Sequence, residues 1–286
     1  MSDFRLKVFQ SVAKNLSFTK ASQELFVSQP AITKHIQELE ATYQTRLFDR
    51  QGSKISLTES GRLLLEHCER ILEDYKRLEY EMHLLHNEYI GELKLGASTT
   101  IAQYVLPPLL GSFIGKFPQV NLSLLNGNSR EIEAALQEHR IDLGLVEGVF
   151  RLPNLKYTTF LEDELVAVVH SKSRLQLPEE ITPQDLPAIP LVLRERGSGT
   201  LDVIERSLQK HGVKLSSLHV LMYLGSTESI KLFLENSDCM GIVSIRSICK
   251  ELAAGTFRVV EIKDMPMLRD FCFVQLQGQE GGLSQA

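Results

Sequence analysis

The sequence lacks the features that mark disulfide-rich, zinc-binding and membrane proteins. It has no tryptophan and 4 scattered cysteines among 286 residues, with no CxxC pair, so we expect reduced thiols and no metal site. No apolar run reaches the roughly 18 residues of a membrane span. The N-terminus, MSDFRLKVFQ, carries an acid and no long apolar segment, unlike a secretory signal. These absences predict a cytoplasmic protein.

Sequence motifs of enzymes are also missing. The chain has no GxSxG, no P-loop and no GxGxxG, because Gly197-Ser198-Gly199 is followed by Asp202 where the third glycine would stand. Ser11–Lys14 and Ser17–Lys20 match SxxK, but the SDN and KTG boxes that accompany this motif in β-lactamases are absent. We therefore expect no catalytic residues, no enzymatic activity and no cofactor.

The net charge of −5 is unevenly distributed along the chain. Residues 1–58 carry 8 basic and 5 acidic side chains, whereas residues 59–90 and 91–286 each have an excess of acids. Clustered basic charge, more than the overall sum, attracts nucleic acid. The N-terminal segment is therefore the candidate for contact with DNA.

The N-terminal segment has the pattern of three short helices. Apolar residues at the helical period predict a helix over 3–14. Ser17 is a candidate N-cap for a helix over 18–25, and Ser28 for a third helix, with Pro30 in its first turn. Its apolar residues would be buried, and its outward row is formed by Gln29, Thr33, Lys34 and Gln37.

That outward row has two interpretations. Amide, hydroxyl and ammonium groups suit base edges and phosphates in a major groove, as in a recognition helix. Alternatively, the row is an ordinary solvated helix face. The following residues favour the first interpretation, because a short β-hairpin with a turn at 51–54 is predicted over 46–57. Arg50 and Lys54 at its tip would contact backbone phosphates.

A long helix is predicted to follow the hairpin and to run to about residue 89. Its apolar residues recur every seven positions in two rows: Leu64, Ile71, Leu78 and Leu85, and Cys68, Tyr75, Met82 and Tyr89. Heptads need a partner surface. We expect a homodimer seam, and the alternative is packing against the body of the same chain.

Residues 91–286 alternate short β-rich runs with helical ones, which predicts a parallel sheet covered by helices. The alternation restarts after residue 164 and indicates two lobes joined by crossover strands. We expect one lobe over about 91–162 and 267–286, and the other over about 163–266. The predicted organisation is then a DNA-binding domain over 1–58, a linker helix over 59–90 and a two-lobed α/β domain.

Small hydroxyl residues follow several predicted strands, where ligands of open α/β sheets bind. They stand at 98–100, 128–129, 197–200 and 226–227, and Arg194 and Arg196 flank the Gly-Ser-Gly turn. Hydroxyls and free N–H groups at helix N-termini form an anion site. Alternatively, each Ser or Thr is a plain N-cap. Glu147 would repel an anion unless it pairs with an arginine or the ligand offers a hydroxyl or amine.

Taken together, the chain resembles the LysR-type transcriptional regulators along nearly its whole length. The resemblance is carried by FRLKVFQSVAKNLSFTKASQELFVSQPAITKHIQELE and LFDRQGSKISLTESG. GASTTIAQYVLPPLL, DLGLVEG and RERGSGT look most like the branch that regulates sulfur assimilation and carbon fixation. The chain departs from the family's pattern at GGLSQA, where members usually continue into a closing helix.

The resemblance implies a mainly α winged helix-turn-helix, a linker helix and a two-lobed α/β effector-binding domain similar to periplasmic binding proteins. It implies double-stranded DNA and a small-molecule effector as partners, homodimers through the linker helix that pair into tetramers, and RNA polymerase as a further partner. The implied DNA-binding residues are Thr19, Lys20, Ser28, Gln29, Pro30, Thr33, Lys34, Gln37, Arg50 and Lys54. The implied effector-binding residues are Ser98, Thr99, Thr100, Ser129, Glu147, Arg196, Ser198, Thr200 and Thr227.

The expected effector is an oxyanion or a phosphorylated or carboxylated metabolite that modulates promoter binding. A small-molecule-binding protein without a regulatory role is the main alternative, and an enzyme is the other. The first of these alternatives leaves the N-terminal 90 residues unexplained.

Overall fold

A computed structural model describes residues 4–51, 54–84 and 90–277. The chain divides into two compact units, residues 1–89 and residues 90–286. In the described part of the chain, none of the helices combines the length and the apolar character that crossing a bilayer requires.

The N-terminal unit begins with three helices, α1 (Phe4–Asn15), α2 (Phe18–Glu24) and α3 (Gln29–Tyr43). The predicted caps are present, because Ser17 Oγ accepts from the Lys20 N–H at 3.2 Å and Ser28 Oγ from the Ala31 N–H at 3.4 Å. The predicted inward face of α3 is buried in a shared core: Ile32, Ile36 and Leu39. These three helices confirm the sequence prediction to within one residue at most ends.

The hairpin consists of β1 (Phe48–Gln51) and β2 (Lys54–Leu57), which pair antiparallel. Gln51 lies opposite Lys54, so both belong to strands and only residues 52–53 connect them. The predicted turn over 51–54 was therefore two residues too long. Residues 52 and 53 lie outside the described part of the chain.

The long helix α4 (Glu59–Leu84) begins beside Thr58, whose Oγ1 accepts from the Gly61 N–H at 2.9 Å. Its first half packs on its own unit, because Cys68 is fully buried and lies 3.3 Å (Sγ to O) from Leu6. Burial raises the pKa of the Cys68 thiol to about 12. Packing against the same chain therefore accounts for the Cys68 position of the heptad rows, and the homodimer seam stays a prediction for the exposed positions.

The second half of α4 presents an apolar row to solvent. Ile71, Leu78 and Met82 are 40%, 53% and 52% exposed. They lie on the predicted heptad rows, and Leu85 and Tyr89 from the same rows lie outside the described residues. An exposed row of this kind is suited to a partner helix.

The C-terminal unit alternates strands and helices much as the sequence predicted. In order these are β3 (Gly91–Ser98), a π-helical turn (Ile101–Val105), α5 (Leu106–Lys116), β4 (Val120–Gly127), α6 (Ser129–Gln137), β5 (Leu143–Glu147), β6 (Leu155–His170), β7 (Glu180–Ile181), β8 (Leu191–Arg194), α7 (Gly199–Lys210), β9 (Val220–Leu224), α8 (Thr227–Glu235), β10 (Met240–Ser244), α9 (Cys249–Ala253), β11 (Phe257–Ile262) and β12 (Met267–Leu276). Short 3₁₀ turns lie at Pro183–Ala188, Leu215–Ser217 and Ile245–Ser247. Strand β7 and the first of these turns had no counterpart in the prediction.

The sheet of this unit is mixed, not parallel throughout. Its order is β4-β3-β5-β12-β6-β10-β8-β9, with β11 also paired to β6. The outer groups β4-β3-β5 and β10-β8-β9 are parallel, and β12 and β6 pair antiparallel between them. Strand β6 has 16 residues and spans about 50 Å, long enough to pass from one lobe into the other. The two lobes are therefore joined by two long antiparallel strands.

Candidate functional site

The predicted DNA-contact residues lie at the solvent face of α2 and α3. Gln29, Lys34 and Gln37 are exposed, and Thr33 is half-buried with its hydroxyl donating to the Gln29 carbonyl at 3.1 Å. The Thr19 hydroxyl donates to Gln29 Oε1 at 3.3 Å, which ties α2 to the first turn of α3. This hydrogen bond restricts the side chain of Gln29, whose amide is of the type that contacts base edges.

The remaining predicted DNA contacts have different surroundings. Ser28 caps α3, and Pro30 and Lys20 are exposed in the first turns of α3 and α2. Arg50 lies in β1 and Lys54 in β2, beside the hairpin turn. Nothing is described of these last two side chains, so their predicted phosphate contacts stay a prediction.

In the C-terminal unit, the predicted effector residues at the ends of β3 and β5 meet at Glu147. The Ser98 hydroxyl donates to Glu147 Oε2, and the Thr100 hydroxyl lies 3.4 Å from Glu147 Oε1. The Ser129 hydroxyl donates to the Glu147 carbonyl at 2.8 Å. All four residues are buried, so the strand ends converge as the sequence predicted.

Two charged residues that the sequence analysis missed complete this cluster, Arg269 on β12 and Asp163 on β6. Arg269 Nη1 lies 3.5 Å from Glu147 Oε1 and donates to Thr200 Oγ1 at 2.9 Å. Its Nε donates to Asp163 Oδ2 at 2.8 Å. An arginine within the apolar run MLRDFCFVQL was the available signal, because a buried charge in a strand needs a partner. Arg269 thus touches residues of both lobes.

Glu147 carries a carboxyl group in a strongly polar but water-excluded place. Burial raises its pKa, and the positive charges of Arg269 and Arg194 oppose that rise. Asp163 adds to the rise through like charge. The Glu147 charge is therefore balanced mainly by the guanidinium of Arg269.

Arg194, at the end of β8, is the buried cation beside the turn at 98–100. Its Nη2 donates to Thr99 Oγ1 at 3.2 Å, and its Nε donates to Glu195 Oε2 at 2.8 Å. Its Nη1 is buried and has no hydrogen-bond partner among the described residues. A buried donor left unpaired costs about 1–3 kcal/mol, so a ligand oxygen placed there would bind favourably.

Arg196, which the resemblance assigns to the effector site, is exposed on the turn after β8. The two arginines of this turn therefore differ in surroundings, since Arg194 is 1% exposed. Of this pair, the geometry points to Arg194 as the group able to meet a ligand inside the domain.

The alternative that hydroxyl residues serve as helix caps is correct at some turns. Ser198 Oγ accepts from the Thr200 N–H at 3.2 Å, and Ser226 Oγ accepts from the Ser229 N–H at 3.1 Å. Thr100 makes no such cap bond to the π-helical turn that it precedes. Thr227 is buried in the first turn of α8. The hydroxyls at 98–100, and that of Thr200 beside Arg269, are thus engaged with charged groups instead of helix ends.

The lobes touch at two further places. The Tyr104 hydroxyl donates to Glu228 at the start of α8, and Glu228 also pairs with Lys231 Nζ at 2.9 Å. At Gly199, a Cβ atom would overlap the Glu147 carbonyl. Through these contacts, the first turns of α7 and α8, which belong to the lobe over 163–266, touch the lobe over 91–162.

The close approach at Gly199 gives a testable prediction. We expect Gly199→Ala to lower the free energy of unfolding of the C-terminal unit by about 1–3 kcal/mol, because the added methyl group forces the backbones apart. The control is Gly111→Ala on α5, where none of the described atoms lies within 4 Å of the added Cβ. That variant should be neutral or more stable by about 0.5–1 kcal/mol. Urea denaturation of both variants measures the difference, and equal stabilities would contradict the lobe contact.

In comparisons with known proteins, each of the two units matches a protein family. Residues 4–62 match the family "Bacterial regulatory helix-turn-helix protein, lysR family". Residues 86–283 match the family "LysR substrate binding domain". Together the two matches cover nearly the whole chain.

Individual relatives match over most of their length. The chain is 29% identical over 269 residues to the "HTH-type transcriptional regulator CysL" of Bacillus subtilis, covering 94% of this chain and 89% of that protein. It is 32% identical over 268 residues to the "Probable RuBisCO transcriptional regulator" of Cyanidioschyzon merolae, covering 93% and 88%. The solved CcmR regulatory domain of Synechocystis PCC6803 in complex with 2-PG is 28% identical with a TM-score of 0.61, covering 68% of this chain and 91% of that one. The chain belongs to the LysR family of transcriptional regulators.

Proposed function

We propose that this DNA-binding regulator senses a small anion held between its two lobes, at the hydroxyl turn 98–100 and Arg194. The observation that carries the proposal is the buried Nη1 of Arg194, which has no partner among the described residues and lies on the guanidinium that contacts Thr99. A charge-assisted bond from guanidinium to an oxyanion is stronger than a neutral one. The ligand classes that fit are oxyanions and phosphorylated or carboxylated metabolites.

The 2-PG complex of the CcmR domain supports an effector of this kind, since that domain is 28% identical to this chain. The other predicted site residues also lie at strand ends or helix starts of the C-terminal unit. They are residues 98–100, 129, 147, 198, 200 and 227. We assign them to the effector site, with Arg194 in place of the exposed Arg196. A bound effector shifts the equilibrium between two lobe arrangements only to the extent that it binds one arrangement more tightly than the other.

The DNA side of the proposal rests on α3. We assign the exposed row of Gln29, Lys34 and Gln37 to base and phosphate contacts, with Arg50 and Lys54 at the hairpin supplying further phosphate contacts. We keep the domain boundaries at 58 and 90, because β2 ends at Leu57 and the chain divides into its two compact units between residues 89 and 90. We infer that the protein acts in the cytoplasm, where a bacterial promoter-binding regulator meets its DNA, and that it acts by binding rather than by catalysing a reaction.

The proposed assembly is a homodimer through the second half of α4, with dimers pairing into tetramers. The exposed row of Ile71, Leu78 and Met82 supports the dimer, because three apolar side chains on one helix gain from burial against a second copy. RNA polymerase is the further partner that a promoter-bound regulator would contact.

Titration calorimetry on the full chain with sulfate, phosphate and 2-PG tests the effector site. We expect Arg194→Gln and Thr100→Ala each to weaken binding of the preferred anion about 10-fold or more, because each removes a buried donor worth about 1.5 kcal/mol. Arg196→Gln is the matched control on the same turn and should change affinity less than about threefold. Unchanged binding by Arg194→Gln would remove that residue from the site, and no binding of any anion by the folded wild-type chain would reject the ligand class.

A further inference from the structure

The hydroxyls that the proposed anion needs are already engaged by a carboxylate of the chain itself. Ser98 Oγ donates to one oxygen of Glu147 and Thr100 Oγ1 lies within hydrogen-bond distance of the other. A serine or threonine hydroxyl has one proton to donate. A hydroxyl that donates to Glu147 therefore cannot donate at the same time to a bound anion.

The surroundings of Glu147 have the composition of an oxyanion site. Two hydroxyl donors and the Arg269 guanidinium, 3.5 Å away, face its carboxylate. The other charged groups that act on it are Arg194 from β8 and Asp163 from β6, one of each sign. The side chain is 2% exposed, so water does not supply the donors. Glu147 is bound by its own domain in the way that an anionic ligand would be.

We propose that Glu147 is a built-in anion that competes with the effector for the Ser98 and Thr100 hydroxyls, and that it thereby limits the affinity of the site for plain oxyanions. This inference rests on the proposed function, since it concerns the same turn. Two negative groups sharing one set of donors repel each other. An effector that carries a hydroxyl or an ammonium group in addition to its charge can donate to Glu147 and escapes that penalty. Glu147 is in this sense the residue that determines ligand class.

The experiment measures sulfate binding to the full chain by titration calorimetry. Glu147→Gln keeps the shape of the side chain and removes its charge, and we expect it to bind sulfate at least about 10-fold more tightly than the wild type. The control is Glu138→Gln, which removes one negative charge from the same unit at an exposed carboxylate that pairs with Arg140 at 2.7 Å and contacts neither Arg194 nor the hydroxyls. An equal gain in Glu138→Gln would attribute the effect to net charge alone and overturn the competition.

The pH dependence of sulfate binding gives a second readout. Sulfate keeps its charge near neutral pH, so any change in its affinity with pH reflects titration of groups on the protein. Burial raises the Glu147 pKa, and protonation as the pH falls removes the competing charge. As the pH falls, we expect the wild-type affinity to strengthen more steeply than that of Glu147→Gln, because only the wild type loses the competing charge. Parallel pH profiles in the two proteins would overturn the proposal.

The outcomes separate this inference from the proposed function. If Arg194→Gln loses binding while Glu147→Gln binds sulfate no better than the wild type, the site stands and the competition is rejected. If Arg194→Gln binds normally, the proposed site itself fails. Should Glu147→Gln not fold, Glu147→Asp takes its place, because the shorter side chain withdraws the carboxylate from both hydroxyls. A gain of smaller size is then expected, and its absence counts against the proposal.

Discussion

Replacing Arg269 with methionine should destabilise the C-terminal unit by about 3–5 kcal/mol, the cost typical of removing one partner of a buried ion pair. The guanidinium has 0% exposure and lies between two buried carboxylates, 2.8 Å from Asp163 and 3.5 Å from Glu147. Methionine fills much of the volume but neutralises neither carboxylate. The loss is therefore electrostatic and not a consequence of a cavity.

The same substitution also removes the guanidinium N–H groups that face hydroxyls of both lobes. Arg269 donates to Thr200 Oγ1 at 2.9 Å and lies 3.5 Å from Thr100 Oγ1. A guanidinium has no acceptor, so each hydroxyl that accepts from it keeps its own proton for another partner. Methionine at 269 should consequently weaken anion binding as well as stability.

Urea denaturation of the full chain measures the stability change, and Arg246→Met is the matched control. Arg246 Nε lies 3.5 Å from the same Asp163, but its side chain is 41% exposed, so its loss should cost less than about 1 kcal/mol. Adding Asp163→Asn to Arg269→Met should restore part of the stability, because it removes one of the unpaired charges. If Arg269→Met and Arg246→Met were equally stable, the buried network would not hold the lobes together.

The parts of the fold that the sequence predicted well are those with local signals. The helical period and the Ser17 and Ser28 caps placed α2 and α3, and β-branched runs placed β10 and β11. The crossover strand was predicted only from about residue 160, and the start of β6 at 155–159 was missed, since LKYTT has few apolar residues. The sheet is mixed because β6 and β12, the two strands that pass between the lobes, run antiparallel to their neighbours. No local sequence pattern distinguishes such strands from parallel ones.

The site was predicted in part for a related reason. Turns after strands identified Ser98, Thr99, Thr100 and Glu147, because ligand sites of α/β sheets lie there. The partners Arg269 and Asp163 are 106 residues apart in sequence, and their pairing depends on the register of β6 with β12. Likewise, Cys68 fits a heptad, yet the position of α1 decides that it is buried within its own unit.

The second large effect concerns α3, where we expect the double variant Lys34→Ala/Gln37→Ala to lose sequence-specific DNA binding. A base contact is worth about 1–3 kcal/mol, so removing the two side chains should weaken specific binding by roughly 2–6 kcal/mol. Both residues are exposed and alanine favours helix, so α3 itself should be unaffected. Losing one phosphate-contacting lysine would also lower the salt slope of binding by about 1.

The measurement uses a duplex selected from random DNA with the wild-type chain, and compares its affinity with that of unrelated DNA at several salt concentrations. The control is Lys14→Ala on α1, which removes the same charge from the same unit at an exposed side chain that pairs with Glu69 at 3.3 Å. It should reduce affinity equally for both duplexes and by less than about threefold. If the double variant retained sequence specificity, the polar row of α3 would be only a solvated helix face. If Lys14→Ala lost specificity, the base-contacting surface would lie on α1 instead.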